Sequence, residues 1–166
     1  NSMAIREIIL EGDETLRKKC KFIDKFDERL AMILDDMADT LKKSEGIGLA
    51  APQIGILRRY AIVDMSDNGS NIVEIINPEI IERSGKQEDL EGCLSCPNEY
   101  GITSRPQKVK VKAQDRYGKE FIVEAEGLTA RAFCHEIDHL DGILFKDKAI
   151  KLLTPEELEE YLENKK

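Results

Sequence analysis

Thr129-Ala-Arg-Ala-Phe-Cys-His-Glu-Ile-Asp-His-Leu-Asp-Gly142 is the stretch around which the rest of the chain is read. It holds His135-Glu136-Ile137-Asp138-His139, an H-E-x-x-H pattern, and these are the only two histidines in 166 residues. On a helix the i and i+4 side chains stand one above the other, so both imidazoles reach a single metal ion. Glu136 follows the first of them, where a carboxylate meets water at such an ion without binding the ion itself. Thr129 suits an N-cap and Gly142 a terminator, so a helix is expected between them. The bland alternative is an amphipathic helix with two exposed or capping histidines.

Working outward, residues 108–116 alternate Val109 and Val111 with Lys110 and Lys112, as a half-buried strand does. Tyr117-Gly118-Lys119 turns that strand into a second one over 120–125. Residues 58–65 and 72–81 form another pair, joined at Asn68-Gly69. A helix over 27–43 carries Leu30, Ile33, Leu34, Met37 and Leu41 at i, i+3, i+4, i+7 spacing, with Asp27 or Asp24 as cap and Gly46 as terminator. Ahead of it lie a strand-like piece, 5–10, and a short helix within 13–19. At the other end, Thr154-Pro155-Glu156-Glu157 combines an N-cap, a first-turn proline and a capping-box glutamate, predicting a terminal helix to about residue 164. Strands in the middle and helices at either end imply an α+β fold. We expect one domain over 1–166, with antiparallel sheets packed around the central H-E-x-x-H helix. Asn1-Ser2 ahead of Met3 reads as a cloning remnant.

The net charge of −8 argues against a binder that works by neutralising nucleic-acid phosphates. No apolar run approaches a membrane span, and charges from Arg6 onward exclude a signal-peptide core. Four cysteines without a secretory signal fit a reducing, cytoplasmic setting, which leaves their thiols free to act as ligands.

Two histidines do not hold a catalytic metal, so a third ligand is required. The prominent source is Glu91-Gly92-Cys93-Leu94-Ser95-Cys96-Pro97, where a proline-closed turn can present Cys93 from a constrained loop. Cys93 and Cys96 together with both histidines would instead make a closed Cys2His2 structural site. That alternative spaces its two pairs far beyond the usual zinc-finger separation and gives Glu136 no task. Cys134, adjacent to His135, is a poorer ligand and suits a buried structural thiol. A thermolysin-like endopeptidase would take its third ligand C-terminal to the motif, from the carboxylates at Glu156 onward. Upstream, Gly46-Ile47-Gly48-Leu49-Ala50-Ala51-Pro52-Gln53-Ile54-Gly55 reads as a tight loop whose small residues admit close backbone approach. It is not a phosphate loop, since no Gly-Lys-Ser/Thr follows.

In that order, Gly46-Ile47-Gly48-Leu49-Ala50-Ala51-Pro52-Gln53, Glu91-Gly92-Cys93-Leu94-Ser95 and His135 to His139 resemble the three motifs of the peptide deformylases, G-x-G-x-A-A-x-Q, E-G-C-x-S and H-E-x-x-H. The likeness covers nearly the whole chain. It implies a hydrolase that removes the formyl group from formyl-methionine at the N-terminus of new bacterial or organellar proteins. The implied cofactor is Fe(II), with nickel, cobalt or zinc able to occupy the same site. By the same resemblance Cys93, His135 and His139 are the metal ligands and Glu136 is the general base and acid. The Gln53 amide and the Leu94 backbone N–H are the oxyanion donors. Gly46, Ile47, Gly48, Glu91 and Ala132 are expected at the substrate, with Ile47, Leu94 and Ala132 around the methionine side chain. Glu91 is also a candidate to hold its loop by pairing with Arg105 or Arg131.

The implied partners are formyl-methionyl peptides and nascent chains, met by a monomer in passing proximity to the ribosome, with no membrane and no direct nucleic-acid contact. Departures from the family pattern are Cys134, where glutamine often precedes the first histidine, Tyr100, near where a basic residue often stands, and an acidic terminal helix. Because that helix is acidic, ribosome docking through a basic tail is not carried over.

Overall fold

The computed structural model describes residues 4–66 and 68–165, so Asn1-Ser2 lies outside the described residues. A 3-10 turn at Glu14–Arg17, capped by the Asp13 carboxylate accepting from Thr15 N–H at 2.9 Å, leads toward helix α1 (Glu28–Ser44). Strand β1 (Gly48–Ala50), a second 3-10 turn (Ala51–Ile54), β2 (Tyr60–Asp64) and β3 (Ile72–Ser84) follow. Then come β4 (Gln87–Cys93), β5 (Cys96–Arg105), β6 (Lys108–Gln114) and β7 (Glu120–Glu126). The chain closes with α2 (Gly127–Leu140), the short α3 (Phe145–Lys148), β8 (Ala149–Leu152) and α4 (Pro155–Asn164). One antiparallel sheet runs in the order β1-β2-β3-β6-β7 and a smaller one in the order β4-β5-β8. The fold is α+β, as the pattern of elements implies. Among the described residues no helix is long and apolar enough to cross a membrane.

The two helices that cover the large sheet explain the sequence of its central strand. Along β2 successive side chains point to opposite faces. Ala61 and Val63 join α2 residues Ala130, Phe133, Ile137 and Leu140 in one core. Tyr60 and Ile62 join α1 residues Leu30, Ile33, Leu34, Met37 and Leu41 in another. A strand covered on both faces reads as a continuous apolar run, Tyr60-Ala-Ile-Val63, before Asp64 ends it, while β6 keeps a polar face and alternates.

Local signals set most element positions, with informative exceptions. Asp27 caps α1 by accepting from Leu30 N–H at 3.0 Å, but Glu45 rather than Gly46 makes the left-handed turn at its end, with φ 59°. The segment read as a tight loop contains β1, which pairs with β2. Residues 5–10 form no strand; instead Ile9 N–H donates to Gln53 O at 2.7 Å and Glu11 N–H to Ser95 O at 2.8 Å. Helix α2 starts at Gly127, before the expected Thr129, whose hydroxyl donates to Glu126 O at 2.9 Å. The chain over β4 and β5 is a hairpin that carries Cys93 at its tip.

Candidate metal centre

Helix α2 buries one side against the large sheet and presents the other to the β4–β5 hairpin. Its C-terminus is fixed twice. The Arg59 guanidinium donates to Leu140 O at 3.0 Å and to Asp141 Oδ1 at 2.8 Å, placing positive charge where the helix dipole favours it. Gly142 then takes φ +74°, and a Cβ there would lie 2.4 Å from Arg17 O, so the exit from the helix needs glycine.

Across the gap, Cys93 Sγ and one ring nitrogen from each of His135 and His139 lie within 4.8 Å of one another. Cys93 Sγ is 3.3 Å from His139 Nε2, and the two rings sit edge to face with centroids 5.0 Å apart. His135 Nδ1 is 2.7 Å from Glu91 Oε2, which leaves Nε2 as its free ligand atom. Cys96 is not in this group. It gathers with Glu11 and Glu99, whose carboxylates both accept from Lys146 Nζ at 2.8 Å. No carboxylate of α4 joins either group among the described residues. Neither the four-ligand staple nor the endopeptidase arrangement is therefore assembled.

Glu91 is the keystone beneath the histidines. Its Oε1 accepts from Thr103 Oγ1 at 2.6 Å, Arg131 Nη1 at 2.8 Å and Arg105 Nε at 3.1 Å, and its Oε2 from Arg105 Nη2 at 2.6 Å. Arg105 also reaches Asp138 Oδ2 at 2.7 Å, tying β4, β5 and α2 together. Burial pushes the Glu91 carboxyl up, but His135 and Arg105 more than offset that and hold it well below the usual carboxylate range. Sequence reasoning offered Arg105 or Arg131 as partner; both are. Glu91 borders the cavity, yet both its oxygens are already occupied, so the geometry makes it a positioning group rather than a substrate contact.

Glu136 has the opposite surroundings. It is buried, its Oε1 has no hydrogen-bond partner, and a Cβ on Gly48 would lie 2.6 Å from its Oε2. Only glycine in β1 leaves room for that carboxylate. Burial pushes Glu136 up to about 7. Gln53 lies alongside: its Oε1 accepts from Ala50 N–H at 2.9 Å, while Nε2 donates to Ser95 Oγ at 3.1 Å and faces Cys93 Sγ at 3.6 Å. The buried Ser95 thus orients Gln53, a link that the motif spelling does not reveal.

These groups open on a cavity of about 290 Å³. Gly46, Ile47 and Gly48 line one wall, Leu90, Gly92, Leu94 and Tyr100 another, and Leu128 and Ala132 of α2 a third. Leu90 and Leu128 escaped the sequence reading, since a leucine at a strand or helix position signals core by default. β1 and β4 are each the outermost strand of their sheet, so backbone edges with no further strand beside them flank the cavity. A larger groove of about 540 Å³ across β3, β6 and β7 is lined by alternating charges and gathers no such donor set.

The site suits a cation. Burial disfavours charge on His135, yet the Glu136 and Glu91 carboxylates raise it, which means that positive charge is welcome there. Burial and the His135 ring hold His139 well below its ordinary value, so its lone pair stays available. The neighbouring Cys96 thiol, burial and the Glu136 charge all push the Cys93 thiol up, and a cation is what would draw off its proton. One thiol and two imidazoles are donors that suit a divalent transition metal.

The sequence profile described as polypeptide deformylase matches residues 5–154, nearly the whole chain. The chain belongs to the polypeptide deformylase family. Among relatives, the peptide deformylase of Caldicellulosiruptor bescii is 57% identical over 158 residues, which are 95% of this chain and 93% of that one. The crystal structure of a peptide deformylase from Legionella pneumophila superposes with a TM-score of 0.85 at 41% identity and covers 98% of each chain. A peptide deformylase from Synechococcus elongatus, solved in complex with actinonin, superposes with a TM-score of 0.84 at 33% identity over 99% of this chain and 87% of that one. The deformylase match ends at Thr154, the residue that caps α4.

Proposed function

We propose that this chain is a metal-dependent deformylase that hydrolyses the formamide at the N-terminus of formyl-methionyl peptides, releasing formate and a free amine. One observation carries this reading: a thiol and two imidazoles converge within 4.8 Å, beside a buried carboxylate that has an oxygen left unpartnered. Cys93, His135 and His139 would hold the ion, with Fe(II) as the native choice and nickel, cobalt or zinc able to replace it. When bound, a divalent cation supplies Lewis acidity, which polarises the formyl group and eases deprotonation of water.

The remaining steps belong to the protein. Glu136 takes a proton from the attacking water, whose oxygen bonds to the formyl carbon. It returns that proton to the peptide nitrogen as the carbon–nitrogen bond breaks. A pKa near 7 suits both transfers at neutral pH. Gln53, held by Ser95 and Ala50, donates from Nε2 to the oxyanion, with the Leu94 backbone N–H as second donor. Glu91 keeps His135 in the tautomer and orientation that free Nε2.

An extended peptide adds to the outer edges of β1 and β4, so that Gly46, Ile47 and Gly48 run alongside its backbone. Its methionine side chain enters the apolar space near Ile47, Leu94 and Ala132. Such substrates are nascent chains, which fits the proposal of a bacterial cytoplasmic enzyme working close to translating ribosomes; we propose that it does so as a monomer. The test is direct. Purified without oxygen, the chain should release formate from formyl-Met peptides, leave casein intact and be inhibited by actinonin. Casein cleavage without formate release would overturn the reading.

A further inference from the structure

Deformylation as described leaves Cys96 unused, although it stands three residues from a metal ligand. In the β4–β5 hairpin Cys93 and Cys96 are directly opposed, with only Leu94-Ser95 turning between them. Opposed residues of an antiparallel pair place their side chains on one face, with Cα atoms about 4.5–5.5 Å apart. That separation falls inside the roughly 4.4–6.8 Å that a disulfide spans. The side chains do meet, since Cys93 packs against the small cluster of Cys96, Leu16, Leu144 and Phe145. The other two thiols, Cys20 and Cys134, lie in the separate core beneath α2.

The two sulfurs differ in access. Cys93 lines the cavity and faces whatever enters it. Cys96 is 1% exposed, and its far side is closed by Glu11, Lys146 and Glu99. A small oxidant arriving through the cavity therefore meets Cys93 first and finds Cys96 already behind it.

We propose that Cys96 is a resolving thiol, which converts peroxide damage at Cys93 into a reversible Cys93–Cys96 disulfide. The steps balance. Hydrogen peroxide transfers one oxygen to the Cys93 sulfur, giving a sulfenic acid and water. The Cys96 sulfur then bonds to the Cys93 sulfur and the sulfenic oxygen leaves as a second water. Two electrons pass from the thiol pair to peroxide. The bond removes one of three ligands from the metal site, so activity stops. The sulfur is spared the sulfinic and sulfonic stages that thiols cannot reverse. Dithiothreitol should reopen the bond, and added metal should restore turnover.

The holoenzyme decides this after hydrogen peroxide treatment, alkylation without reduction, and peptide mapping by mass spectrometry. The wild-type peptide spanning Cys93 and Cys96 should lose two hydrogens and escape alkylation, with metal released in step. In Cys96→Ser, whose untreated activity should match wild type, Cys93 should gain two or three oxygens instead. Activity recoverable by dithiothreitol and metal should then fall by about tenfold or more relative to wild type. Oxygen added to Cys93 in the wild type without a Cys93–Cys96 bond would overturn the proposal, as would equal recovery in the two proteins. If Cys96→Ser fails to fold, the wild-type peptide map alone decides between bond and added oxygen. Because the readout is a peptide mass, it stands even if the chain proves inactive on formyl peptides.

Discussion

Glu91 and Glu136 are equally hidden, at 6% and 4% exposure, and both lie against His135, yet their surroundings push them in opposite directions. Glu91 has every oxygen engaged by cationic or hydroxyl donors and stays ionised far below neutrality. Glu136 keeps a bare oxygen, and burial pushes it up to about 7. Burial alone therefore does not set the behaviour of a carboxylate; the number of donors aimed at it does. A saturated acid makes a rigid foundation. An unsaturated one is free to pick up a proton and hand it on.

The contrast breaks first at Glu136. Glu136→Gln should keep its metal and its melting temperature while formate release drops by about 10²–10⁴-fold, and retained turnover would remove it from the proton path. Glu91→Ala should act on the fold instead. Stripping one partner from buried Arg105 and Arg131 costs about 3–5 kcal/mol in denaturant titrations. The same change should weaken metal binding by roughly 10–100-fold, read by competition with a chelator. Gln53→Ala is expected to lower kcat by about 10²–10³-fold with KM little changed, since on the proposed reading its Nε2 donor meets the substrate only as the oxyanion forms.

Acidity separates the two carboxylates further. A base works ionised, so kcat/KM should fall as pH drops through about 7, or somewhat lower with a cation beside Glu136, and Glu136→Gln should lack that limb. For Glu91 the folded value lies below the unfolded value of about 4.3. Its stabilisation is therefore complete above that pH and lost as acidity increases past it, which thermal melts at stepped pH would show. The smallest effect belongs to α4. The helix has no buried residue and is tethered by exposed pairs such as Lys151–Glu157 and by Tyr161 donating to Asp89. Ending the chain at Leu153 should cost less than about 1 kcal/mol and leave formate release within about twofold.

What could be read from the residues was what is local. Helix α1 announces itself through five apolar positions and an Asp cap, α4 through Thr154-Pro155 and its glutamate, and the β6–β7 hairpin through lysines alternating with valines. β4 was not legible because Gln87-Glu-Asp-Leu-Glu-Gly-Cys93 has neither alternation nor β-branched residues, and only its pairing with β5 makes it a strand. Among site residues, the H-E-x-x-H spacing and the three motifs pointed to the groups that converge. The parts needing three dimensions were Thr103 and Asp138, which bring the Glu91 network to completion, and Ser95, which aims Gln53. Cys96 is the same lesson in reverse: its spacing from Cys93 suggested a fourth ligand, while the hairpin register sets it beside Cys93 and apart from the two histidines.

β1 is three residues long, outermost in its sheet, and carries glycine where it passes Glu136. On the proposed reading, such a strand grips a guest through amide groups, which every polypeptide has alike. Selectivity would then rest on the first residue and its cap, and the residues that follow would be met almost without prejudice. A housekeeping enzyme facing the start of every newly made protein needs that indifference, and the outer edge of a three-residue strand is a small structure with which to achieve it.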